Sequence, residues 1–371
     1  MRARGTFAAA VLAVAVLGVA LAAAALASPK HAQLTKVTLQ LKWVTQAQFA
    51  GYYEAKAKGY YEKQGLDVTI KPGGPNIIPE QVVAGGQAQF GIDWLSSLMT
   101  SRDKNIDLVS IAQVFNKSGL TLLTWKSSGL NSVAKLKGKK VANWLGGNEF
   151  EVFAALAKYG MDPAHNKNVT IVQEPFTMNF FVAHQADAAS AMTYNELAQV
   201  LETKNPSTGK LFTSKDLNVI PMQSVGTAML EDNIFTTGNW IKNPANQAIA
   251  KKFLTASFQG WIYCRDHVKD CVKTVLANGP ALPRGHQTWQ MNEINKLIWP
   301  ASRGIGIMDP TAFKRSAAIV AKWGKLKKVP GHEAYRTDLA QAADAALKAQ
   351  GTDIYGKSYK PITVNVTAGG K

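Results

Sequence analysis

The chain has 371 residues, 42 Lys and Arg against 25 Asp and Glu, a formal charge of +17 and two cysteines. This length suits two lobes, each with its own core. The excess charge fits an anionic partner or plain solubility, but the lysines are scattered and no nucleic-acid module is legible, which argues against nucleic acid as a partner.

The first residues, Met1-Arg-Ala-Arg4, precede an apolar run from Phe7 to Ala27 that closes on Ala25-Leu26-Ala27 before Ser28. A basic start, an apolar stretch and small residues at the end read as a secretory signal, 1–27, cut near Ala27. The run is also long enough for a retained membrane anchor. Cleavage leaves about 344 residues with 40 basic residues against 25 acids, an exported, periplasmic chain expected to be monomeric.

Val37 to Lys42 reads as a strand ending at Trp43, then a helix from Phe49 to Lys58 and a strand at Val68-Thr69-Ile70. Gln89 to Asp93 is a second buried strand, ending beside Trp94 and leading into a helix from Ser96 to Lys104. Leu108 to Phe115 and Leu120 to Lys126 are apolar strand-like runs, the second expected to leave the first lobe. The rhythm then repeats. Val141 to Asn143 is a short strand that ends at Trp144, Gly146-Gly147-Asn148 turns, Glu149 to Tyr159 is helical, and Val169 to Gln173 is a strand. Trp43 precedes Val68 by 25 positions, as Trp144 precedes Val169. Ala188 to Met192 is a small-residue strand, after which Thr193-Tyr-Asn-Glu196 opens a helix. Leu217 to Ile220 is strand-like, and Glu231 to Thr237 is expected to return to the first lobe. Helical patterns cover Pro244 to Val275, Gln287 to Leu297, Pro310 to Trp323 and Thr337 to Ala349, before a polar tail from Thr352 to Lys371 with room for one strand.

Alternating strands and helices argue an α/β chain. One lobe would hold 34–126 and 232–350, an inserted lobe 127–231, and the tail 351–371. Two crossings make a hinge with a cleft between the lobes.

Four strand ends carry aromatics: Trp43, Trp94, Trp144 and Tyr194. Beside them stand Gln46 and Gln48, Ser96 and Ser97, Asn148 and Glu149, and Asn195 and Glu196. In α/β sheets ligands sit beyond such ends, and flat walls with amide, hydroxyl and carboxylate groups suit a planar heterocycle. The alternative is that strand-end Trp residues are ordinary core. Glu196 either reads an amino-substituted ring or serves as a first-turn helix charge, and Asp93 either binds ligand or, the favoured reading, caps the helix that follows. Gly146 and Gly147 open backbone N–H groups to a ligand or form a plain turn. Cys264 and Cys271 can bridge only if the helix breaks between them, because seven helical residues span about 10 Å. HExxH, GxSxG, P-loop and paired-cysteine motifs are absent and the six histidines are dispersed, so no catalytic group, metal or cofactor is expected.

Trp43 with Phe49-Ala-Gly-Tyr-Tyr, Ala57-Lys-Gly-Tyr-Tyr-Glu-Lys-Gln-Gly-Leu-Asp-Val, Val82-Val-Ala-Gly-Gly-Gln-Ala-Gln-Phe-Gly-Ile, Leu136-Lys-Gly-Lys-Lys-Val and Ala191-Met-Thr-Tyr-Asn-Glu196 together resemble one family. It joins thiamine pyrimidine synthases to sulfonate-type solute receptors, and the likeness covers roughly Val37 to Trp240. The resemblance implies a type II periplasmic-binding-protein fold with ligand captured by lobe closure. It implies a receptor that serves an ABC permease in the inner membrane, for a thiamine pyrimidine precursor, riboflavin or a sulfonate such as taurine. Its enzymatic branch consumes its own histidine and a lysine-bound pyridoxal phosphate at the junction after Phe-Gly-Ile, beside a cysteine cluster. Here that junction, Ile92 to Ser97, holds neither Lys nor His and no cysteine cluster exists, so the expectation is a receptor and not an enzyme. Tyr194-Asn195-Glu196 is similar to the Tyr-Trp-Asn-Trp-Glu stretch of pyrimidine-binding members, without its two Trp residues.

Overall fold

Two five-stranded sheets divide the strands, and each is built on the same plan. The computed structural model describes residues 33–371 apart from 146 and 148. The expected signal segment 1–27, Gly146 and Asn148 therefore lie outside the described residues. Residues 36–371 form one body.

The first sheet has the order β2-β1-β3-β10-β4, from β1 (Thr35–Gln40), β2 (Leu66–Lys71), β3 (Phe90–Trp94), β4 (Leu108–Gln113) and β10 (Asp232–Thr237). The second has the order β7-β6-β8-β5-β9, from β5 (Leu120–Trp125), β6 (Lys140–Asn143), β7 (Thr170–Gln173), β8 (Ala188–Met192) and β9 (Leu217–Pro221). β1 runs parallel to β3, and β6 runs parallel to β7 and β8. The fourth strand is antiparallel in both, β10 in the first sheet and β5 in the second. The 25-residue repeat thus marks equivalent strand–helix–strand units, with β1 and β6 each second from an edge.

The fourth strands also show where the chain crosses. The run 120–126, expected to end the first lobe, instead supplies β5, which pairs with β8 and β9 in the second sheet. Every residue of β5 is buried, so its sequence has no polar alternation to mark which sheet it joins. The crossings are 114–119 outward and 226–231 back, and β10 returns to the first sheet.

Helices cover the sheets. α1 (Ala50–Ala57) follows a 3₁₀ turn at Ala47–Phe49, α2 (Leu95–Asp103) follows β3, α3 (Glu149–Ala157) follows the Trp144 turn, and α4 (Glu196–Leu201) follows β8. The C-terminal helices are α5 (Pro244–Asp266), α6 (Val268–Asn278), α7 (Arg284–Ile298), α8 (Pro310–Trp323) and α9 (Asp338–Ala349). Asn243 and Asp309 cap α5 and α8, each with Pro in the first turn, the pairing of cap and proline that starts a helix. Sheet residues Leu39, Ile92, Ile111 and Ile234 share one core with Tyr52, Phe253 and Trp261 of the helices. α1 approaches α5 so closely that a Cβ on Gly260 would lie 2.0 Å from the carbonyl oxygen of Gly51.

The helix expected from Pro244 to Val275 breaks at His267, and this brings Cys264 and Cys271 to a Cα separation of 5.6 Å in a disulfide. The polar tail forms no strand. It lies against the body, with Ile362 N donating to Asn292 Oδ1 at 2.9 Å and Gly369 N to the Glu202 carbonyl at 3.0 Å. No helix among the described residues is long and apolar enough to cross a membrane.

Candidate ligand-binding site

A cavity of about 540 Å³ opens between the two sheets, at the carboxyl ends of β1, β3, β7 and β8. That is the position at which open α/β sheets accept ligands, where strand order reverses around β1 and its counterpart β6. The four aromatics expected at strand ends all line it: Trp43 and Trp94 from the first sheet, Trp144 and Tyr194 from the second. Gln48, Ser97, Asn195 and Glu196 line it too.

Ser96 does not reach the cavity wall. Its side chain is buried behind the wall with no partner for Oγ. Gly147 of the second lobe approaches that helix start, since a Cβ there would lie 3.2 Å from Ser97 Oγ, and its φ of +127° favours glycine. Gly147 N donates to Glu149 Oε2 at 2.6 Å, so this turn is held by its own helix start. Trp43 stacks on Phe176 from the opposite lobe, centroids 5.8 Å apart and planes 21° from parallel. Tyr194 meets Phe115 of the outward crossing edge-on at 6.4 Å.

Asp93 is not the helix cap expected from its position. Trp94 occupies the cap position of α2 with no side-chain hydrogen bond. Asp93 Oδ1 instead accepts from Lys42 Nζ at 2.5 Å and from Trp94 N at 2.6 Å. The same ammonium lies 3.5 Å from the centre of the Trp94 ring, a cation–π contact that leaves one ring face engaged. Gln46 Nε2 donates to Gln48 Oε1 at 2.7 Å, and Gln48 Nε2 donates to Asp232 Oδ2 at 2.9 Å. Burial pushes the Asp232 carboxyl up to about 7.

The cavity is acidic. Glu80, Asp93, Glu174 and Glu196 line it against Lys42 and Lys104, and no Arg does so among the described residues. Glu196 is first in α4, where its Oε2 accepts from Met192 N at 3.0 Å and its Oε1 from Asn195 Nδ2 at 2.5 Å. Glu174 stands just past β7, with Oε2 accepting from Ser190 N at 3.0 Å and Oε1 buried without a partner. Burial raises both carboxyls, and the neighbouring Glu196 adds to the rise at Glu174. Glu80 is raised by burial and then by Asp93. A low-dielectric pocket favours the neutral acid unless a donor or cation arrives.

Sequence reasoning missed Lys42, Glu80, Glu174 and Phe176. The strand-end rule that found Trp43 and Trp94 also points to Gln173-Glu174-Pro175-Phe176, the segment that ends β7. The Lys42–Asp93 pair spans 51 positions and shows only once β1 lies beside β3.

Residues 46–270 match the family described as NMT1/THI5 like. A riboflavin-binding protein of Chloroflexus aurantiacus is 26% identical over 305 residues, 79% of this chain and 82% of that one. A 4-amino-5-hydroxymethyl-2-methylpyrimidine phosphate synthase of Legionella pneumophila is 29% identical over 140 residues, 37% of this chain and 43% of the synthase. The periplasmic aliphatic sulphonate binding protein of Escherichia coli superposes with a TM-score of 0.62 at 14% identity, covering 85% of this chain and 99% of that structure. The fold is the two-lobed periplasmic-binding-protein fold.

Proposed function

The chain belongs to the NMT1/THI5-like family, and on that premise we propose that it is an exported solute receptor for a planar aromatic N-heterocycle bearing amino groups. The observation that carries this is Glu174 and Glu196 set among Trp94, Trp144 and Tyr194, with Glu174 Oε1 buried and unpartnered. Leaving such an acceptor unmet costs roughly 1–3 kcal/mol, more when charged. A ring amino group would satisfy it while the aromatic walls cover the ring faces. Trp43, Trp94, Trp144 and Tyr194 stack on the ring, and Glu174, Glu196, Asn195 and Gln48 orient it. Closure of the lobes buries the ligand, and an ABC permease reads the closed form.

Four lining carboxylates and no Arg among the described residues disfavour a sulfonate, whose oxygens need cationic donors. The same cavity speaks against synthase chemistry. Its Lys42 is committed to Asp93 and the Trp94 ring, and 92–97 supply no Lys or His.

Thermal shift of the mature protein with 4-amino-5-hydroxymethyl-2-methylpyrimidine, thiamine, riboflavin and taurine tests the reading. Ligand at 100 times its Kd adds about 2.7 kcal/mol to stability. A shift with amino-bearing heterocycles and none with taurine is expected. A shift with taurine alone refutes it.

A further inference from the structure

His286 lies outside the cavity wall, on α7, and is nearly buried. Its Nδ1 faces Glu202 Oε2 at 2.9 Å and Oε1 at 3.1 Å, and its Nε2 faces Asn195 Oδ1 at 2.9 Å. Asn195 Nδ2 in turn donates to Glu196 Oε1 at 2.5 Å. One chain of contacts thus runs from Glu202 through an imidazole and an amide to a carboxylate in the cavity.

With Glu196 ionised, the contacts around Asn195 have one consistent arrangement. Asn195 turns its N–H toward the Glu196 carboxylate, so its carbonyl faces His286. An N–H on Nε2 meets that carbonyl as donor to acceptor, while Nδ1 faces the Glu202 carboxylate. Flipping Asn195 would set its carbonyl against Glu196, which is tolerable only if Glu196 takes a proton and becomes a donor. His286 and its neighbour Gln287 also brace both walls from behind, because Gln287 Oε1 accepts from Ala47 N at 2.7 Å, next to Gln46 and Gln48. Trp289 Nε1 donates to the Thr193 carbonyl at 2.8 Å, one residue before Tyr194.

We propose that His286 is the positioning residue that, through Asn195, keeps Glu196 an acceptor and so sets selection of an amino over an oxo substituent on the ligand. This rests on the proposed receptor function. The selection follows from chemistry: an acceptor pairs with an amino group but meets an oxo oxygen lone pair to lone pair, and sites built on such hydrogen bonds discriminate strongly.

The test compares 4-amino-5-hydroxymethyl-2-methylpyrimidine with its 4-oxo counterpart by calorimetry on the full mature chain. It uses wild type, His286→Leu, Asn195→Leu and the double variant. His286→Leu is expected to lose the amino ligand by about tenfold or more while changing the oxo ligand by less than about threefold. His286→Gln, which still offers an amide donor to Asn195, should recover part of the selectivity. The two Leu substitutions should couple, the double variant staying within about twofold of the weaker single one. Should His286→Leu not fold, Glu202→Gln takes its place in the cycle and is expected to lower selectivity in the same direction. Unchanged selectivity, or additive losses, overturns the positioning role. A wild type that binds neither compound overturns this inference, and the receptor reading falls separately, on a thermal shift with taurine alone.

Discussion

Glu174→Gln should move ligand affinity and stability in opposite directions. The residue lines the cavity and is 3% exposed, with one carboxyl oxygen accepting from Ser190 N and the other buried without a partner. Burial and nearby Glu196 disfavour its charged form, so the unliganded protein bears a penalty that a neutral amide of the same shape removes. The variant should unfold at higher urea, gaining on the order of 1 kcal/mol. A hydrogen bond from a ring amino group to a carboxylate contributes about 1.5–3 kcal/mol, so its loss should weaken the pyrimidine by roughly 10- to 150-fold. Calorimetry gives the affinity, and urea unfolding of the unliganded protein gives the stability. Unchanged affinity with reduced stability would mean that Glu174 is a structural acid, and the reasoning fails.

Trp144→Ala should weaken the same ligand about tenfold, from lost stacking and contact area, while circular dichroism and the unliganded melting midpoint stay near wild type. If it unfolds and its folded fraction binds normally, Trp144 is core. Replacing Cys264 and Cys271 by Ser should cost about 2–3 kcal/mol through restored freedom of the unfolded chain, with ligand affinity unchanged because neither residue lines the cavity; equal denaturation curves would contradict this. At the returning crossing, Glu231 Oε1 accepts from Gly119 N at 2.5 Å and from Ser118 Oγ at 3.1 Å, and burial lifts its carboxyl to about 8. A raised folded value means that its contribution is complete below about 4.5 and is lost as pH rises toward 8, by up to about 1.4 kcal/mol per pH unit. Glu231→Gln should flatten stability against pH across that window; an unaltered slope would refute the assignment.

The aromatic jaws were legible because parallel strands, buried on both faces, announce their ends by the first bulky or polar residue after an apolar run. Trp43 and Trp94, Trp144 and Tyr194 were found that way, and the equal spacing of two of them exposed the repeat. Glu174 stands at a strand end of the same kind, but β7 is half exposed and ends in Gln and Glu with no aromatic tip to mark it. The sheet that β5 joins was not legible, because uniform burial makes a strand's sequence neutral between two cores. The Lys42–Asp93 pair depends on packing between segments 51 positions apart, which local pattern does not encode.

The most direct measurement is the identity of small molecules released on denaturing the protein purified from its native source, read by mass spectrometry. An amino-bearing aromatic N-heterocycle near one per chain is the expected result. An aliphatic sulfonate or other non-aromatic anion at that stoichiometry would contradict it.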